Sequence, residues 1–217
     1  MRSGIQYREI IRMDDQTIDE QLYQQWDKHW VEDEKMTFVG KILCPIRIDK
    51  MKKAIEQLEI TTALDAGCGV GHLLQVFSDL GIKDYIGLDV SARAAKICQH
   101  KGLNVKMGRL ENEEKKYDLV AAEGMLEHFI NFEPFVQHMA RVSNRYILLM
   151  QPNHDSFSGR TLNYVTQILR GDRIVFEYNF QMNDYIRVFN RHGFQVIMNE
   201  PLLVNTSRIL LFERSPT

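Results

Sequence analysis

The sequence predicts an α/β fold built on a mostly parallel sheet, and three observations predict it. From Thr61 onward, short apolar runs alternate with longer segments of helical periodicity, the texture of successive βαβ units. A glycine-rich stretch, Ala63-Leu64-Asp65-Ala66-Gly67-Cys68-Gly69-Val70-Gly71-His72, falls where the first strand should pass into its helix. Gly81, Gly102, Gly171 and Gly193 each come after a helical pattern, where a left-handed residue beyond the last turn is expected.

The first 60 residues read as helices. Thr17–Trp30 spaces Leu22, Tyr23, Trp26 and Trp30 helically, and suits either a packing helix or a lid over the open end of the domain. In Pro45–Leu58 the apolar residues Ile48, Met51, Ile55 and Leu58 recur three and four apart, with Pro45 suited to a first helical turn. Strands are expected at Thr62–Asp65, Tyr85–Leu88, Asn104–Met107, Asp118–Ala122, Tyr146–Met150, Gln195–Met198 and Ser207–Phe212. Helices are expected at His72–Leu80, Ala92–His100, Glu133–Val142, Leu162–Arg170 and Met182–Arg191, with Ser91 and Asn131 as N-caps. The division is therefore an N-terminal helical extension over 1–60 and a main domain over 61–217. The charge run Glu111–Lys116 reads as a solvated turn.

Composition narrows the function classes. With 27 basic and 29 acidic side chains the net charge is −2, and no segment is basic enough to track a polyanion, so nucleic acid is an improbable partner. The longest apolar run, Tyr146–Met150, is far short of the ~20 residues of a membrane span. The N-terminus lacks an apolar leader core, which places the chain in the cytoplasm. Cys44, Cys68 and Cys98 are odd in number and lack paired spacing, so reduced thiols are expected rather than disulfides or zinc ligands. Composition leaves the oligomeric state open.

In a parallel sheet, ligands bind beyond the carboxyl ends of the strands, and a glycine turn lets a bulky ligand approach the backbone there. A dinucleotide fingerprint would need a third glycine where His72 stands, which weakens a nicotinamide reading. The turn instead offers the carboxylate of Asp65 at the strand end, which suits a cationic group better than a pyrophosphate.

On these residues the chain resembles the class I S-adenosylmethionine-dependent methyltransferases. Asp65-x-Gly67-x-Gly69-x-Gly71 is similar to that family's first motif, whose acid and loop hold the methionyl part of the cofactor. Ile86-Gly87-Leu88-Asp89-Val90-Ser91 resembles the second, whose acid accepts from both ribose hydroxyls; two carboxylate oxygens suit a vicinal diol. Tyr117–Phe129 resembles the family's fourth strand, and Leu126-Glu127-His128 resembles the Leu-Glu-His turn beyond it. The resemblance covers roughly residues 46–212. It implies a Rossmann-like three-layer sandwich: seven mostly parallel strands with an antiparallel last strand, plus N-terminal helices.

The resemblance also implies a role for individual residues of the site. Asp65, Gly67, Cys68, Gly69 and Gly71 would hold the methionyl end, Asp89 and Val90 the ribose, and Arg109 with Leu110 the adenine. There Gly108-Arg109 departs from the family's frequent Gly-Asp. Glu123 would approach the methionyl end. His128 and His154 are candidates for taking a proton from the acceptor, since an unperturbed imidazole titrates near working pH. No metal is expected: some similar RNA-end methyltransferases use Glu-x-x-Glu-His, but the residue three before Glu127 is Gly124. The acceptor site is expected over 151–180, where Phe157, Tyr164, Phe176, Tyr178 and Phe180, with Tyr185 beyond, favour apolar or planar parts. The implied activity is methyl transfer from S-adenosylmethionine, leaving S-adenosylhomocysteine, to an O, N or C nucleophile of a small molecule. An RNA or protein substrate and a non-catalytic binding subunit are the alternatives.

Overall fold

The computed structural model describes Trp26, residues 38–161 and residues 177–216. All seven expected strands are present: β1 (Thr62–Ala66), β2 (Asp84–Asp89), β3 (Val105–Met107), β4 (Tyr117–Glu123), β5 (Ser143–Pro152), β6 (Phe194–Leu202) and β7 (Ser207–Arg214). They form one sheet in the order β3-β2-β1-β4-β5-β7-β6. β7 alone runs against the others, pairing antiparallel with both β5 and β6. Among the described residues five helices accompany them: α1 (Phe38–Glu56), α2 (His72–Asp79), α3 (Ala92–His100), α4 (Glu133–Val142) and α5 (Met182–Arg191).

Two apolar clusters make the arrangement three-layered. Alternate residues of the central strands point to opposite faces, so Leu64, Val120 and Ile147 join α4 and α5 on one side. Ala63, Leu119 and Leu148 join α1, α2 and α3 on the other. β5 is buried along most of its length because both faces are covered, whereas the outermost β6 alternates.

Local chemistry explains where helices begin and end. Ser91 caps α3 as expected, accepting from the Ala94 N–H at 3.1 Å. Gly81, Gly102 and Gly193 come after α2, α3 and α5 with φ of 75°, 72° and 81°, while Gly171 and the expected helix Leu162–Arg170 lie outside the described residues. Asn131 is not the N-cap of α4. It accepts from Glu133 N at 3.2 Å, but the cap position is Phe132, so the side chain reaches in from one residue further out.

A second expectation fails at Pro45. It does not open a helix: α1 starts at Phe38 and carries Pro45 inside. An internal proline removes one backbone bond and crowds the preceding turn. The helix persists because its second half is held by tertiary contacts, with Cys44, Met51, Ala54 and Ile55 buried. Lys50 Nζ also donates to Pro201 O of β6 at 2.9 Å.

The sheet and the glycine loop meet at Gly87, buried in β2 opposite Asp65 and Val105. A Cβ there would stand 2.6 Å from Leu74 Cδ1 and 2.7 Å from Cys68 Sγ. Gly87→Ala should therefore force both groups aside and destabilise the fold by about 1–3 kcal/mol. The check is chemical denaturation: the midpoint falls while the slope stays unchanged.

Candidate functional site

β1 and β4 leave the sheet in neighbouring positions at its carboxyl edge, and the chain then departs from them in different directions. That separation opens a crevice, and the glycine loop forms one wall of it. Gly67, Gly69 and Gly71 all have positive φ, at 72°, 50° and 85°, a conformation that L side chains adopt only with strain. Gly67 N and Cys68 N both donate to Leu88 O, at 2.8 and 3.1 Å, which folds the loop back over the end of β2.

Asp89 locks the loop in that shape. Its Oδ2 accepts from Gly69 N at 2.8 Å and its Oδ1 from Ser91 N at 2.8 Å. The acid expected to meet a diol thus also fixes the loop that would lie against the ligand. Gly108 N donates to Asp89 O at 2.9 Å, which brings the Gly108-Arg109-Leu110 stretch to the same acid. Leu110 is buried and Arg109 exposed, while Val90 is half-buried.

Asp65 is the least compensated group in the crevice. It is 2% exposed, and its Oδ1 has no hydrogen-bond partner. Burial pushes its carboxyl well above the usual range, and the nearby charges of Glu123 and Asp89 add to the shift. A buried carboxylate without a partner costs stability, and a cationic ligand group would relieve it.

Glu123 ends β4 beside Asp65, but it has a partner within the chain. Arg47 of α1 brings Nε to 2.6 Å from its Oε1, as an ion pair whose N–H is not aimed along the line between them. Arg47 is the residue that sequence reasoning missed, because nothing in its local pattern marks an arginine that will cover β4. Gln151 was missed as well: it is fully buried at the end of β5, with both amide atoms unpartnered. Met125 lies over Gly67, its sulfur 3.1 Å from where a Cβ would sit. Beneath the loop, contact with the Cys98 thiol and burial push Cys68 far above its ordinary pKa, which keeps it a thiol. All three cysteines are free and buried.

The two candidate bases are both buried. His154 lies just beyond β5, has no partner at Nε2, and burial lowers its pKa, so it stays neutral at pH 7. His128 sits in the short turn Leu126–His128 with its ring edge-on to Trp26, centroids 4.8 Å apart. The expected aromatic acceptor wall is only partly a wall. Tyr185 is 1% exposed and packs with Phe132 and Phe180 in the core, whereas Phe157 is 79% exposed. Trp30, Tyr164 and Phe176 lie outside the described residues.

A family model described as "Methyltransferase domain" matches residues 20–201. A ubiquinone biosynthesis O-methyltransferase of Rhodopseudomonas palustris is 29% identical over 121 residues, 52% of this chain and 47% of that protein. One from Leptothrix cholodnii is 27% identical over 95 residues, 39% of this chain and 40% of that protein. The chain spans less than half the length of these curated relatives. Among solved structures, magnesium protoporphyrin IX methyltransferase from Synechocystis with bound SAH has a TM-score of 0.68 at 20% identity, over 89% of this chain and 94% of that one. A possible histamine N-methyltransferase from Thermotoga maritima has 0.69 at 16% identity, over 89% and 100%. These likenesses show the fold.

The state of Asp65 has a measurable consequence. Its folded pKa is raised, so the folded chain holds a proton where the unfolded chain has lost it. That contribution to stability is fully present below the unfolded pKa of about 4 and is lost as pH rises. Asp65→Asn carries no such loss. Without ligand it should be more stable than the parent at neutral pH, with a gap that closes on acidification at up to about 1.4 kcal/mol per pH unit. Urea denaturation of both proteins across the acid range measures the gap, and a constant gap would refute the assignment.

Proposed function

The chain belongs to the methyltransferase domain family, and from that premise we propose that it transfers the methyl group of S-adenosylmethionine to a nucleophile of a small molecule. The observation that carries the reading is the buried Asp65 carboxyl, one oxygen of which has no partner, at the head of a glycine loop that Asp89 holds in place. A cofactor bearing an α-ammonium and a vicinal diol fits those two acids: a cation beside Asp65 would favour its charged form, and the two oxygens of Asp89 suit a diol.

What the cofactor supplies when bound is an activated sulfonium methyl; the protein's work is alignment and exclusion of water. In this reading Asp65 and the Gly67–Gly71 loop hold the methionyl end, Asp89 and Val90 the ribose, and Arg109 with Leu110 the adenine. Glu123 borders the methionyl end with its charge offset by Arg47. The 1–60 extension covers the crevice through α1, and segment 151–180 borders the acceptor. Because the curated relatives are O-methyltransferases by name, a hydroxyl oxygen is the preferred acceptor atom. His154 takes the acceptor proton, being neutral and free at Nε2. Three buried thiols suit a reducing compartment such as the cytoplasm, and among the described residues no helix is long and apolar enough to cross a membrane.

Calorimetric titration with S-adenosylhomocysteine tests the cofactor assignment. The parent should bind at micromolar strength, and Asp89→Ala should weaken binding by about 10–100-fold, or 1–3 kcal/mol. No saturable binding by the parent would remove the reading. For the base, His154→Gln should leave that binding intact and lower kcat by about 100-fold or more once an acceptor is in hand. An unchanged kcat would exclude His154.

A further inference from the structure

Beneath the glycine loop two thiols lie in contact, and the transfer described above uses neither sulfur. Cys68 belongs to the loop and is 6% exposed, while Cys98 belongs to α3 and is fully buried. The two side chains share a hydrogen bond. Both sulfurs also converge on one carbonyl, with Cys98 Sγ 3.3 Å and Cys68 Sγ 4.0 Å from Gly69 O. Cys44 has other neighbours, His72 Nε2 and Arg47 Nη2, each 3.8 Å from its sulfur.

Glycines make the room for this pair. A Cβ at Gly87 would stand 2.7 Å from Cys68 Sγ, and one at Gly71 2.9 Å from Cys98 Sγ. From below, α3 holds the loop through two donors: Cys98 Sγ reaches Gly69 O, and Lys101 Nζ, just past the helix, reaches Val70 O at 2.7 Å. The hydrogen bond from the Cys68 thiol lowers the pKa of Cys98; burial opposes the drop and the Lys101 charge adds to it. One sulfur thus keeps its proton while its neighbour ionises more readily, a division that disulfide formation requires.

We propose that Cys68 and Cys98 form a dithiol that a peroxide oxidises to a disulfide, joining the glycine loop covalently to α3. The Cys98 thiolate attacks one peroxide oxygen and breaks the O–O bond, giving a sulfenic acid and a hydroxide that takes up the thiol's proton as water. The Cys68 sulfur then displaces the sulfenic hydroxyl, which leaves with the Cys68 proton as a second water, and one S–S bond forms. Two electrons pass from the sulfurs to the peroxide. In a reducing compartment the pair rests as thiols, and the bridge forms only when peroxide rises. An S–S bond is about 2.0 Å long, so the sulfurs must close from hydrogen-bond contact and draw the loop toward the helix. Gly69 O loses the S–H that it accepts from, and Gly69 N is the amide that Asp89 Oδ2 holds, so the shift reaches the clamp on the loop. Weaker cofactor binding follows from this on the S-adenosylmethionine reading above; the bridge itself does not depend on that reading.

The test exposes the reduced full chain to hydrogen peroxide, stops the reaction with catalase and counts thiols in denaturant. The count should fall from the three free cysteines by two, the intact mass should drop by two hydrogens, and a proteolytic map should join the Cys68 and Cys98 peptides. The oxidised chain should bind S-adenosylhomocysteine at least about tenfold more weakly, and dithiothreitol should restore both the thiols and the affinity. Cys98→Ser should keep its remaining thiols through the same treatment, whereas Cys44→Ser should still form the bridge. If the parent keeps all its thiols, or loses them without joining Cys68 to Cys98, the proposal is overturned. A bridged chain that binds as tightly as the reduced one overturns it as well. Failure of the reduced chain to bind S-adenosylhomocysteine would remove the cofactor reading alone, because the thiol count and the map decide the bridge by themselves.

Discussion

The structure turns on a buried carboxyl group that the chain leaves partly unsatisfied. Asp65 sits at the end of a central strand, sealed from water, with an oxygen that no donor reaches. Its neighbours raise the cost, since Glu123 and Asp89 are of the same sign. The protein accepts this cost by surrounding the group with rigid elements. The sheet fixes its backbone through pairing with β2 and β4, and the apolar layers on both faces hold the sheet. A well-packed frame is what allows a local arrangement that would not persist alone.

Around that acid, each neighbouring charge is handled differently. Asp89 accepts from two backbone amides and so acts as a structural clamp. Glu123 is balanced by a side chain from the opposite end of the sequence. Of the three, only Asp65 keeps an oxygen that no donor reaches. The three acids are thus compensated to different degrees by the same fold.

Much of this was legible in the sequence, and the reasons are physical. Strands buried on both faces must be apolar, so the central ones announced themselves, while the partly exposed β3 and β6 were marked by their place after helical patterns. Their ends did not, because Ser143, Asn144 and Arg145 extend β5 through polar residues that no alternation marks. Asp65 and Asp89 were visible because each closes an apolar run beside glycines, a local arrangement with few other uses. Arg47 and Gln151 were not visible, since their placement at the carboxyl edge comes from tertiary structure and leaves no periodic trace. Pro45 misled for the same reason, as contacts made by the second half of α1 outweigh a local preference for helix starts. The wall of aromatics was over-read: Tyr185 fills the core, as large rings more often do.

The contact between Lys50 and Pro201 joins residues 151 apart in sequence. A chain made from its N-terminus must finish β6 before this tie can form, and closing so long a loop comes late because its entropy must be met first. Until then α1 lacks one of its holds on the domain. Asp65, in the first strand, is made before the β2 and β4 strands that flank it, and stays hydrated until they pair. On this order of events, desolvation of the acid coincides with assembly of the central strands. The ribosome-bound chain would carry an ordinary solvated aspartate, and the unusual group would exist only in the finished protein.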